Sequence, residues 1–301
     1  MIRTETGVPG NKAYPSFRKI TLEDKPFIEK ALAIDPPEIS EMTFTNIYSW
    51  REPERTEIAF FDGAVIFRSM AGDIIRYYAS SGDHDPRLFM SGILEYDHGV
   101  FVPVPERTAA MLSKDARFSV REDRDNFDYL YRMEDLVVLP GKKFDGKRNL
   151  IRKFKTAHAF EYLPVDGGNA GECLGFEEAW CDIKECDKDK GLSEERVAFQ
   201  EMVRHSTAFG LTGGMIKIGG KISAVAISGK LNANTMVMYI LKADPGVAGL
   251  YQTMMNEFLA RNSGSAEFVN LEQDLGIDGL RKAKLSFHPV RMIKKYEVSL
   301  K

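Results

Sequence analysis

The order of apolar and polar positions along the chain predicts one series of elements that occurs twice. In the first half, two apolar runs flank Asp62-Gly63 and predict a β-hairpin at 58–67. The expected elements after it are a strand, a helix, a strand, a helix and two strands, at 74–79, 86–96, 101–104, 105–114, 118–120 and 128–131. The second half repeats this order, with a hairpin around Gly219-Gly220 and then elements at 235–241, 250–261, 268–271, 276–285 and 291–298. The displacement of roughly 155 to 165 positions indicates two domains of one fold.

The order of the elements also predicts the fold class. We expect an α+β protein with two tandem domains, each with a mixed, mostly antiparallel sheet flanked by helices. A proline-glycine break near Leu139–Lys142 divides the chain into an N-terminal domain, 1–140, and a C-terminal domain, 141–301. Two further helices are expected before the second hairpin, at 170–184 and 193–209, the latter capped by Ser193. This order resembles the GNAT acyltransferase fold, in which the helix after the fourth strand receives the pyrophosphate of coenzyme A.

Composition narrows the class of protein further. The 301 residues are 44% apolar and 28% charged, as in a globular protein, and the net charge of −3 gives no overall basic field for nucleic acid. No apolar run approaches the ~18 residues of a membrane span, and Met1–Gly7 lacks the apolar core of a signal peptide. We therefore expect a cytoplasmic protein. The three cysteines are an odd number in a long chain, which favours a reducing compartment and no disulfide framework: Cys173, Cys181 and Cys186. Their spacing matches no zinc site, so no metal is expected, and we expect Cys173 and Cys181 to pack against the core.

Three segments resemble one family, the soluble C-terminal domain of lysyl-phosphatidylglycerol synthases and its stand-alone relatives. They are Ser40–Arg51, Gly141–Ile151 and Asn270–Pro289, of which the third is the most specific. The resemblance implies two fused GNAT-like domains, as in the Fem-type peptidyltransferases, and transfer of an acyl or aminoacyl group to an amine or a hydroxyl. The full membrane enzymes carry transmembrane helices before this domain. This chain has none, so we do not expect a lipid acceptor held by a membrane part of the same protein.

The GNAT analogy places the expected donor site in the second half. The fourth strand would hold an acyl-coenzyme A donor by its backbone, and the following turn would offer N–H groups at a helix N-terminus to the phosphates. The positions are Tyr239, Ile240, Leu241 and Lys242 on the strand, and Gly246, Val247, Ala248, Gly249 and Leu250 in the turn. The same residues also fit a plain buried strand and an ordinary turn. The equivalent first-half stretch, Ser80–Asp85, carries acids that would repel a pyrophosphate.

Two carboxylates follow the fifth strand, on the side where an acceptor is expected. Glu272 and Asp274 could each take a proton from an incoming amine as catalytic residues. The alternative for Asp274 is an N-cap of the helix expected from near Leu275. Gly276 and Gly279 predict a close approach of the backbone to the sheet or to a substrate.

Basic residues cluster at two places in the second half, 142–155 and 281–284. The first cluster predicts a helix with an apolar stripe and a basic outer face. Such a face is either only solvated or contacts a phosphate-rich donor, which would be coenzyme A or a tRNA acceptor arm. The candidate contacts are Lys147, Arg148, Arg281 and Lys284. If both clusters face one cleft, the aminoacyl-tRNA donor gains support, whereas the near-neutral charge and small size favour coenzyme A.

Two functions of different class follow from these residues. The first is a soluble transferase that moves an acyl or aminoacyl group from acyl-coenzyme A or aminoacyl-tRNA to an amine or hydroxyl acceptor. The second is a non-catalytic module that binds a small molecule or a partner on a degenerate GNAT pair. His288 precedes Pro289, so we expect it in an extended conformation. We expect a structural role for its side chain, and a role as a base is the alternative.

Overall fold

The computed structural model describes residues 14–301 except 62, 63, 81 and 83. Its strands are β1 (Arg18–Lys19), β2 (Glu57–Phe61), β3 (Ala64–Ala71), β4 (Ile74–Ser80), β5 (Val100–Pro105), β6 (Phe118–Glu122), β7 (Asp128–Arg132), β8 (Phe160–Val165), β9 (Thr212–Ile218), β10 (Lys221–Lys230), β11 (Thr235–Ala243), β12 (Phe268–Asn270), β13 (Arg291–Ile293) and β14 (Lys295–Leu300). Its helices are α1 (Lys25–Ile34), α2 (Phe44–Ser49), α3 (Pro86–Asp97), α4 (Glu106–Leu112), α5 (Met133–Val138), α6 (Asp145–Ala157), α7 (Ala170–Lys184), α8 (Lys190–Arg204), α9 (Ser206–Phe209), α10 (Leu250–Asn262) and α11 (Asp278–Leu285). None of these helices is long and apolar enough to cross a bilayer.

Some of the sequence predictions fall on residues outside this description. They are the Asp62-Gly63 hairpin turn, Met1–Gly7, and Ser81 and Asp83 within the acidic first-half stretch. The strands on both sides of Asp62-Gly63, β2 and β3, do pair in antiparallel register, with Phe61 opposite Ala64.

Contacts divide the chain into two compact units, each with its own sheet. The described residues of unit 1 are 14–35, Glu54–Asp123 and Lys295–Lys301, and unit 2 comprises Pro36–Pro53 and Arg124–Lys294. Each unit contains a 7-stranded sheet in the described part of the chain, and helices flank both sheets. Both sheets are mixed and mostly antiparallel, which confirms the predicted α+β class.

The sheet of unit 1 has the strand order β1-β2-β3-β4-β5-β14-β6. Neighbouring strands are antiparallel except β4 and β5, which pair in parallel at Tyr77 and Phe101. Helices α3 and α4 cover one face of this sheet, where Phe89 and Leu112 join its buried core with Val298. Helix α3 begins where expected because Asp85 caps its first turn, accepting the Arg87 N–H at 2.9 Å.

The sheet of unit 2 has the order β13-β7-β12-β11-β10-β9-β8, with β11 and β12 as its parallel pair. Alternate residues of β10 enter two different cores. Ala224 and Ala226 contact the core formed with α10, whereas Val225 and Ile227 contact the core formed with α7 and α8. Because both faces of β10 are covered, its sequence is almost continuously apolar rather than alternating.

The last strands of the two halves are exchanged between the two sheets. Strand β7, from the first half, lies between β12 and β13, and β14, at the chain end, lies between β5 and β6. The contact division therefore differs from the predicted ranges 1–140 and 141–301. The single strand expected at 291–298 is instead β13 and β14, in different sheets. Strand pairing is non-local, so the apolar pattern of a strand does not reveal which sheet it joins.

Two predicted helix starts are wrong. Helix α8 begins at Lys190 because Asp189 is its cap and accepts the Leu192 N–H at 3.1 Å, which leaves Ser193 inside the helix. Helix α11 begins at Asp278 rather than near Leu275, since Leu275 and Gly276 have φ angles of 54° and 72°. Such left-handed conformations cannot continue a right-handed helix.

The structure contains a disulfide that was not expected from the sequence. Cys181, in the last turns of α7, pairs with Cys186, with the two Cα atoms 5.0 Å apart. Glu185 has a left-handed conformation and reverses the chain between them. Cys173 is free and buried in the core beneath α7, as expected for a packing residue. The disulfide removes the argument from cysteine count for a reducing compartment.

Candidate functional site

Three segments that are distant in sequence meet at the end of β12 in unit 2. The fully buried carboxylate of Asp128 accepts the Ser40 N–H at 2.8 Å and the side-chain amide of Asn270 at 2.9 Å. Helix α2 begins four residues after Ser40. Asn46 of this helix donates to Glu272 Oε1 at 2.9 Å. A continuous network therefore joins the α2 segment, β7 and the residues that follow β12.

Glu272 has an unusual backbone conformation. Its φ angle is +56°, a left-handed value that costs a side-chain-bearing residue free energy. Two hydrogen bonds hold it there: the Glu272 N–H donates to Asn270 Oδ1 at 2.7 Å, and its carbonyl accepts the Tyr129 N–H at 3.2 Å. These two hydrogen bonds therefore fix the backbone position from which the Glu272 side chain extends.

The electrostatic surroundings of Glu272 favour its protonated form. Burial raises the pKa of the Glu272 carboxyl to about 8, and the nearby acids Asp128 and Glu41 act in the same direction. The hydrogen bond from Asn46 and the positive charge of Lys284 oppose this rise. A carboxyl that titrates near neutral pH can both accept and return a proton. The role expected for Glu272 from the sequence, taking a proton from an incoming amine, requires this property.

Asp274 is fully buried and has a different environment. Its carboxylate accepts hydrogen bonds from Tyr129 Oη at 2.5 Å, Arg281 Nε at 3.0 Å, Gly276 N at 2.9 Å and Arg124 at 3.2 Å. Burial alone would raise the pKa of Asp274, but these donors outweigh it and hold the pKa far below its ordinary value. A carboxylate so well satisfied is a poor proton acceptor. The geometry supports a positioning role for Asp274 and gives no support to the expected catalytic one.

Gly276 makes a close approach, but not the expected one to the sheet or to a substrate: an added Cβ would lie 2.9 Å from the carboxylate of Asp125, which is outside the strands. Gly279 shows no such approach, since an added Cβ would meet nothing within 4 Å among the described residues. Of the two glycines, only Gly276 is therefore required by packing.

Arg281 and Lys284 point toward the loop that carries Glu272. Arg281 donates to Asp125 at 2.7 Å as well as to Asp274. Lys284 Nζ donates to the carbonyls of Leu271 and of Gln273, the latter at 2.6 Å. Both residues of α11 thus fix the 271–274 loop in place, rather than lying in a solvated basic cluster.

The two basic clusters of the second half are adjacent in unit 2. Lys147, near the start of α6, donates to Ser286 Oγ at 2.6 Å and lies 3.8 Å from the ring centroid of Phe287, just after α11. Burial lowers the pKa of Lys147. Arg148 instead donates to the carbonyls of Leu139 and Gly141, so it holds the loop before α6. The structure brings Lys147 and Lys284 to one region and gives Arg148 a local structural contact.

The prediction for the conformation of His288 is wrong. Its φ angle is +56°, not extended, because its N–H closes the turn after α11 by donating to Leu285 O at 2.9 Å. Its Nε2 lies 3.2 Å from the carbonyl oxygen of Lys143, and its ring stands edge-on to Phe144 at 5.3 Å. These contacts join the end of α11 to the start of α6, in keeping with the expected structural role.

The expected donor strand, β11, has no partner in β12 beyond its first three residues. It pairs with β12 only over Thr235–Val237, and Met238–Ala243 continue past the end of β12. Tyr239 and Ile240 are buried, and Tyr239 Oη donates to Thr43 Oγ1 at 3.1 Å, next to α2. Leu241 is partly exposed. The side chain of Tyr239 is therefore engaged inside unit 2.

Lys242, also expected to contact the donor, is buried in an ion-pair cluster. Its Nζ lies 2.6 Å from Glu177 Oε1 and 2.5 Å from Glu195 Oε1, and 4.2 Å from the ring centroid of Trp180. The side chain thus ties β11 to α7 and α8 and is not directed to a phosphate.

The turn after β11 uses several of its N–H groups internally. Gly246 donates to Asp244 Oδ1 at 2.8 Å, Val247 to Asp244 O at 3.1 Å and Leu250 to Val247 O at 3.3 Å. Gly249 has φ +83° and is pressed against α6, so that an added Cβ would overlap the carbonyl of Leu150. Gly246 and Ala248 are exposed, whereas Gly249 and Leu250 are buried. A carboxylate occupies the position at Gly246 that a phosphate oxygen would take.

A cavity of about 240 Å³ opens beside this turn, between α7 and the β9–β10 hairpin. Apolar side chains dominate its wall, with Phe176 and Trp180 the largest. Its charged groups are two acids, Glu172 and Asp244, and one base, Lys221. This balance does not favour a pyrophosphate. In the part of the chain that is described, no cluster of three or more His, Cys, Asp or Glu side chains could hold a metal ion.

Comparison with known proteins identifies the family. Residues 33–299 match the sequence profile of the family described as "Phosphatidylglycerol lysyltransferase, C-terminal". The chain belongs to this family. The match confirms the resemblance carried by the three sequence segments, all of which lie in unit 2. No curated protein sequence matched this chain.

Solved structures agree with this assignment. A conserved protein of unknown function from Bacteroides thetaiotaomicron is 34% identical, with a TM-score of 0.87 over 95% of this chain and 100% of that one. The C-terminal domain of a candidate lysylphosphatidylglycerol synthetase from Agrobacterium fabrum has 14% identity and a TM-score of 0.63, covering 92% of each chain. A tandem GNAT protein from the clavulanic acid biosynthesis pathway has 8% identity and a TM-score of 0.51, covering 95% and 98%. The family thus has the expected tandem GNAT-like fold.

Sequence reasoning missed several residues that organise the site of this family member. They are Ser40, Asn46, Arg124, Asp125, Asp128, Tyr129 and Asn270. Ser40, Asn46 and Asn270 lie within segments that carried the family resemblance, which was the available signal. Asp128 and Tyr129 belong to a strand that was assigned to the first half, so nothing in the sequence linked them to Glu272.

Proposed function

We propose that this chain is an aminoacyltransferase that takes an aminoacyl group from an aminoacyl-tRNA and passes it to an amine or hydroxyl acceptor. Glu272 is the general base in this proposal. The observation that carries it is the Glu272 carboxyl itself, which extends from a strained backbone position, accepts the Asn46 side-chain amide at 2.9 Å, and has a pKa raised by burial to about 8. A base is most effective when its pKa lies near the working pH. Strained backbone such as that of Glu272 also concentrates at functional sites.

The proposed reaction is a balanced acyl transfer. The acceptor heteroatom attacks the ester carbonyl carbon of the aminoacyl-tRNA while the Glu272 carboxylate takes the proton from that heteroatom. The bond between the carbonyl carbon and the ribose oxygen then breaks, and protonated Glu272 returns the proton to the leaving ribose oxygen. One ester bond is replaced by an amide or a new ester, and Glu272 recovers its starting state.

The donor is proposed from the arrangement of charge in unit 2. The start of α6 and the end of α11 are adjacent through Lys147 and Ser286. The exposed bases on and beside these two helices are the proposed contacts for the phosphates of an acceptor arm: Lys142, Lys143, Arg152, Lys153 and Lys282. By contrast, the turn after β11 offers few groups to the pyrophosphate of coenzyme A, because Asp244 accepts the Gly246 N–H and the buried Lys242 is paired with Glu177. Acyl-coenzyme A is therefore the second donor to be tested.

The deciding experiment supplies each donor to the purified protein. Aminoacyl-tRNA with a labelled amino acid and labelled acetyl-coenzyme A are incubated separately with a mixture of amines and alcohols, and labelled product is counted. We expect product from aminoacyl-tRNA, lost by at least about 100-fold in Glu272→Gln, which is the usual scale for a general base. Glu267→Gln removes an exposed carboxylate near β12 and is the matched control.

Other results of this experiment would redirect the proposal. If only acetyl-coenzyme A gives product, acyl-coenzyme A rather than aminoacyl-tRNA is the donor. If turnover is unchanged in Glu272→Gln, Glu272 is not the general base. Binding of aminoacyl-tRNA with no turnover under any condition would favour the non-catalytic module instead.

The tRNA-binding part can be tested on its own. Filter binding at several salt concentrations gives a slope that reflects the number of phosphate contacts, each contributing about 0.7 to 0.9. The Lys153→Ala/Lys282→Ala double variant should reduce this slope by roughly 1 to 2. Lys188→Ala, on an exposed lysine beside the disulfide loop, should leave it unchanged. An equal effect of both changes would contradict the assigned surface.

A further inference from the structure

We infer that the acceptor at Glu272 is a primary amine, which enters as an ammonium ion and makes hydrogen bonds to the Glu272 carboxylate and to Asn46 Oδ1. The inference rests on the proposed function, which leaves amine and hydroxyl acceptors open. It deepens that function by naming the chemical class of the acceptor.

The first support is an unpaired oxygen beside Glu272. Asn46 is 7% exposed, and its side-chain nitrogen donates both to Ser40 O and to Glu272 Oε1, each at 2.9 Å. This fixes the orientation of the amide, since both partners are acceptors. Asn46 Oδ1 is buried and has no hydrogen-bond partner in the described structure. A buried acceptor of this kind costs free energy until a donor reaches it.

The second support is the sign of the charge around Glu272. Two further acids, Glu41 and Asp128, raise its pKa, and Lys284 is the cation that acts in the opposite direction. Lys284 is already committed to backbone carbonyls of the 271–274 loop. With Glu272 ionised, its own negative charge favours a positive charge placed next to it, and Asp128 and Glu41 act in the same direction. A neutral hydroxyl would gain nothing from this field.

The third support is the number of hydrogen bonds that the site can accept. An ammonium group has three donors and no acceptor, whereas a hydroxyl has one donor. Among the described residues, the Glu272 side chain has one hydrogen-bond donor, Asn46, which leaves acceptor capacity on the carboxylate. Together with Asn46 Oδ1, the site therefore offers more acceptors than one hydroxyl could satisfy.

Proton transfer in this pair is also well matched. Burial destabilises charged groups, so it raises the affinity of a carboxylate for a proton and lowers that of an ammonium. The ammonium N–H proton passes to a Glu272 oxygen, and the resulting neutral amine keeps the lone pair that attacks the ester carbonyl. After attack, protonated Glu272 gives its proton to the ribose oxygen as the bond between the carbonyl carbon and that oxygen breaks, and the Glu272 carboxylate then takes the second proton from the nitrogen and releases it to water. The products are an amide, a free tRNA hydroxyl and one proton, and Glu272 is again a carboxylate.

A binding experiment tests the ammonium site without any turnover. Butylammonium chloride is titrated into the full chain while the Glu272 carboxyl carbon is followed by NMR. Tetramethylammonium chloride at equal ionic strength lacks hydrogen-bond donors, and n-butanol lacks the charge, so both are matched controls. We expect saturable binding of butylammonium alone and a fall of the Glu272 pKa by at least one unit, because a bound cation stabilises the carboxylate.

Variants make the binding test specific. Glu272→Gln keeps an oxygen for the Asn46 amide but removes the charge, and should weaken butylammonium binding at least tenfold, measured by calorimetry. Asn46→Ser shortens the side chain that carries Oδ1 and should weaken it several-fold. Glu267→Gln should leave it unchanged. Equal responses to butylammonium and tetramethylammonium, or tight binding in Glu272→Gln, would overturn the inference.

A transfer experiment separates this inference from the proposed function. Aminoacyl-tRNA is offered with equal concentrations of butylamine and n-butanol, and the product is treated with mild alkali, which hydrolyses esters but not amides. An alkali-stable amide product supports the inference. An ester product would keep the proposed function and overturn the amine acceptor, whereas specific ammonium binding without any product would keep the ammonium site and overturn the transferase.

Discussion

The raised pKa of Glu272 predicts a stability effect that can be measured before any substrate is known. The perturbation is Glu272→Gln, which keeps the shape and the hydrogen bond from Asn46 but removes the titrating group. Folding raises the pKa of Glu272 from an ordinary value of 4.5 to about 8. The folded state therefore binds more protons than the unfolded state between these values, so the free energy of unfolding of the native protein falls as pH rises through this window.

The magnitude follows from proton linkage. A single group with a folded pKa this far above its unfolded value lowers the free energy of unfolding by up to about 1.4 kcal/mol per pH unit. The slope applies between roughly pH 5 and pH 8, for a total of at most about 5 kcal/mol. Glutamine does not titrate. The variant and the native protein should therefore have similar stability near pH 5, and the variant should be several kcal/mol more stable near pH 8.5.

The assay is urea unfolding at half-unit pH steps, followed by tryptophan fluorescence. Trp50 and Trp180 are the chain's two tryptophans, and both lie in unit 2 with Glu272. Glu267→Gln is the control, because its carboxylate is exposed, and its difference from the native protein should stay flat. If the Glu272→Gln difference is equally flat between pH 5 and 8, the raised pKa is wrong, and with it the role of Glu272 as a base near neutral pH.

Three further changes test the framework around Glu272. Gly276→Ala should lower the free energy of unfolding by about 1 to 3 kcal/mol, because φ +72° and the contact with an acid both exclude a Cβ; urea unfolding measures it. Lys242→Met should cost about 3 to 5 kcal/mol by leaving the buried Glu177 without its cation, and the double variant with Glu177→Leu should recover part of this loss. Asp274→Asn should cost about 2 to 4 kcal/mol of unfolding free energy at pH 7. The loss should shrink below about pH 4, because there the unfolded native chain binds a proton at Asp274 that the folded chain does not, which lowers the stability of the native protein. A loss independent of pH would contradict this.

The sequence by itself determined the elements, the repeat and the family. The apolar runs of β10 and β11, the glycine turn before α10 and the Asn270–Pro289 segment are local signals, since backbone preference and burial of one face act over a few residues. These signals were enough to predict the tandem GNAT-like fold, and they offered Glu272 and Asp274 as candidates without separating them. They also left Asp274 with two interpretations, a catalytic base and the N-cap of a helix beginning near Leu275. The helix begins at Asp278 instead, and the Asp274 carboxylate holds Tyr129, Arg281 and Arg124.

The tertiary structure alone decided how these parts are joined. The exchange of β7 and β14 between sheets, and the network of Ser40, Asp128 and Asn270, depend on pairings across more than eighty residues. Local pattern carries no information on such partners, because a strand of given periodicity can join either sheet. The same reason applies to the chemistry. Glu272 and Asp274 are both carboxylates near the end of one strand, and only the donors and charges that the fold brings to each set one pKa high and the other low.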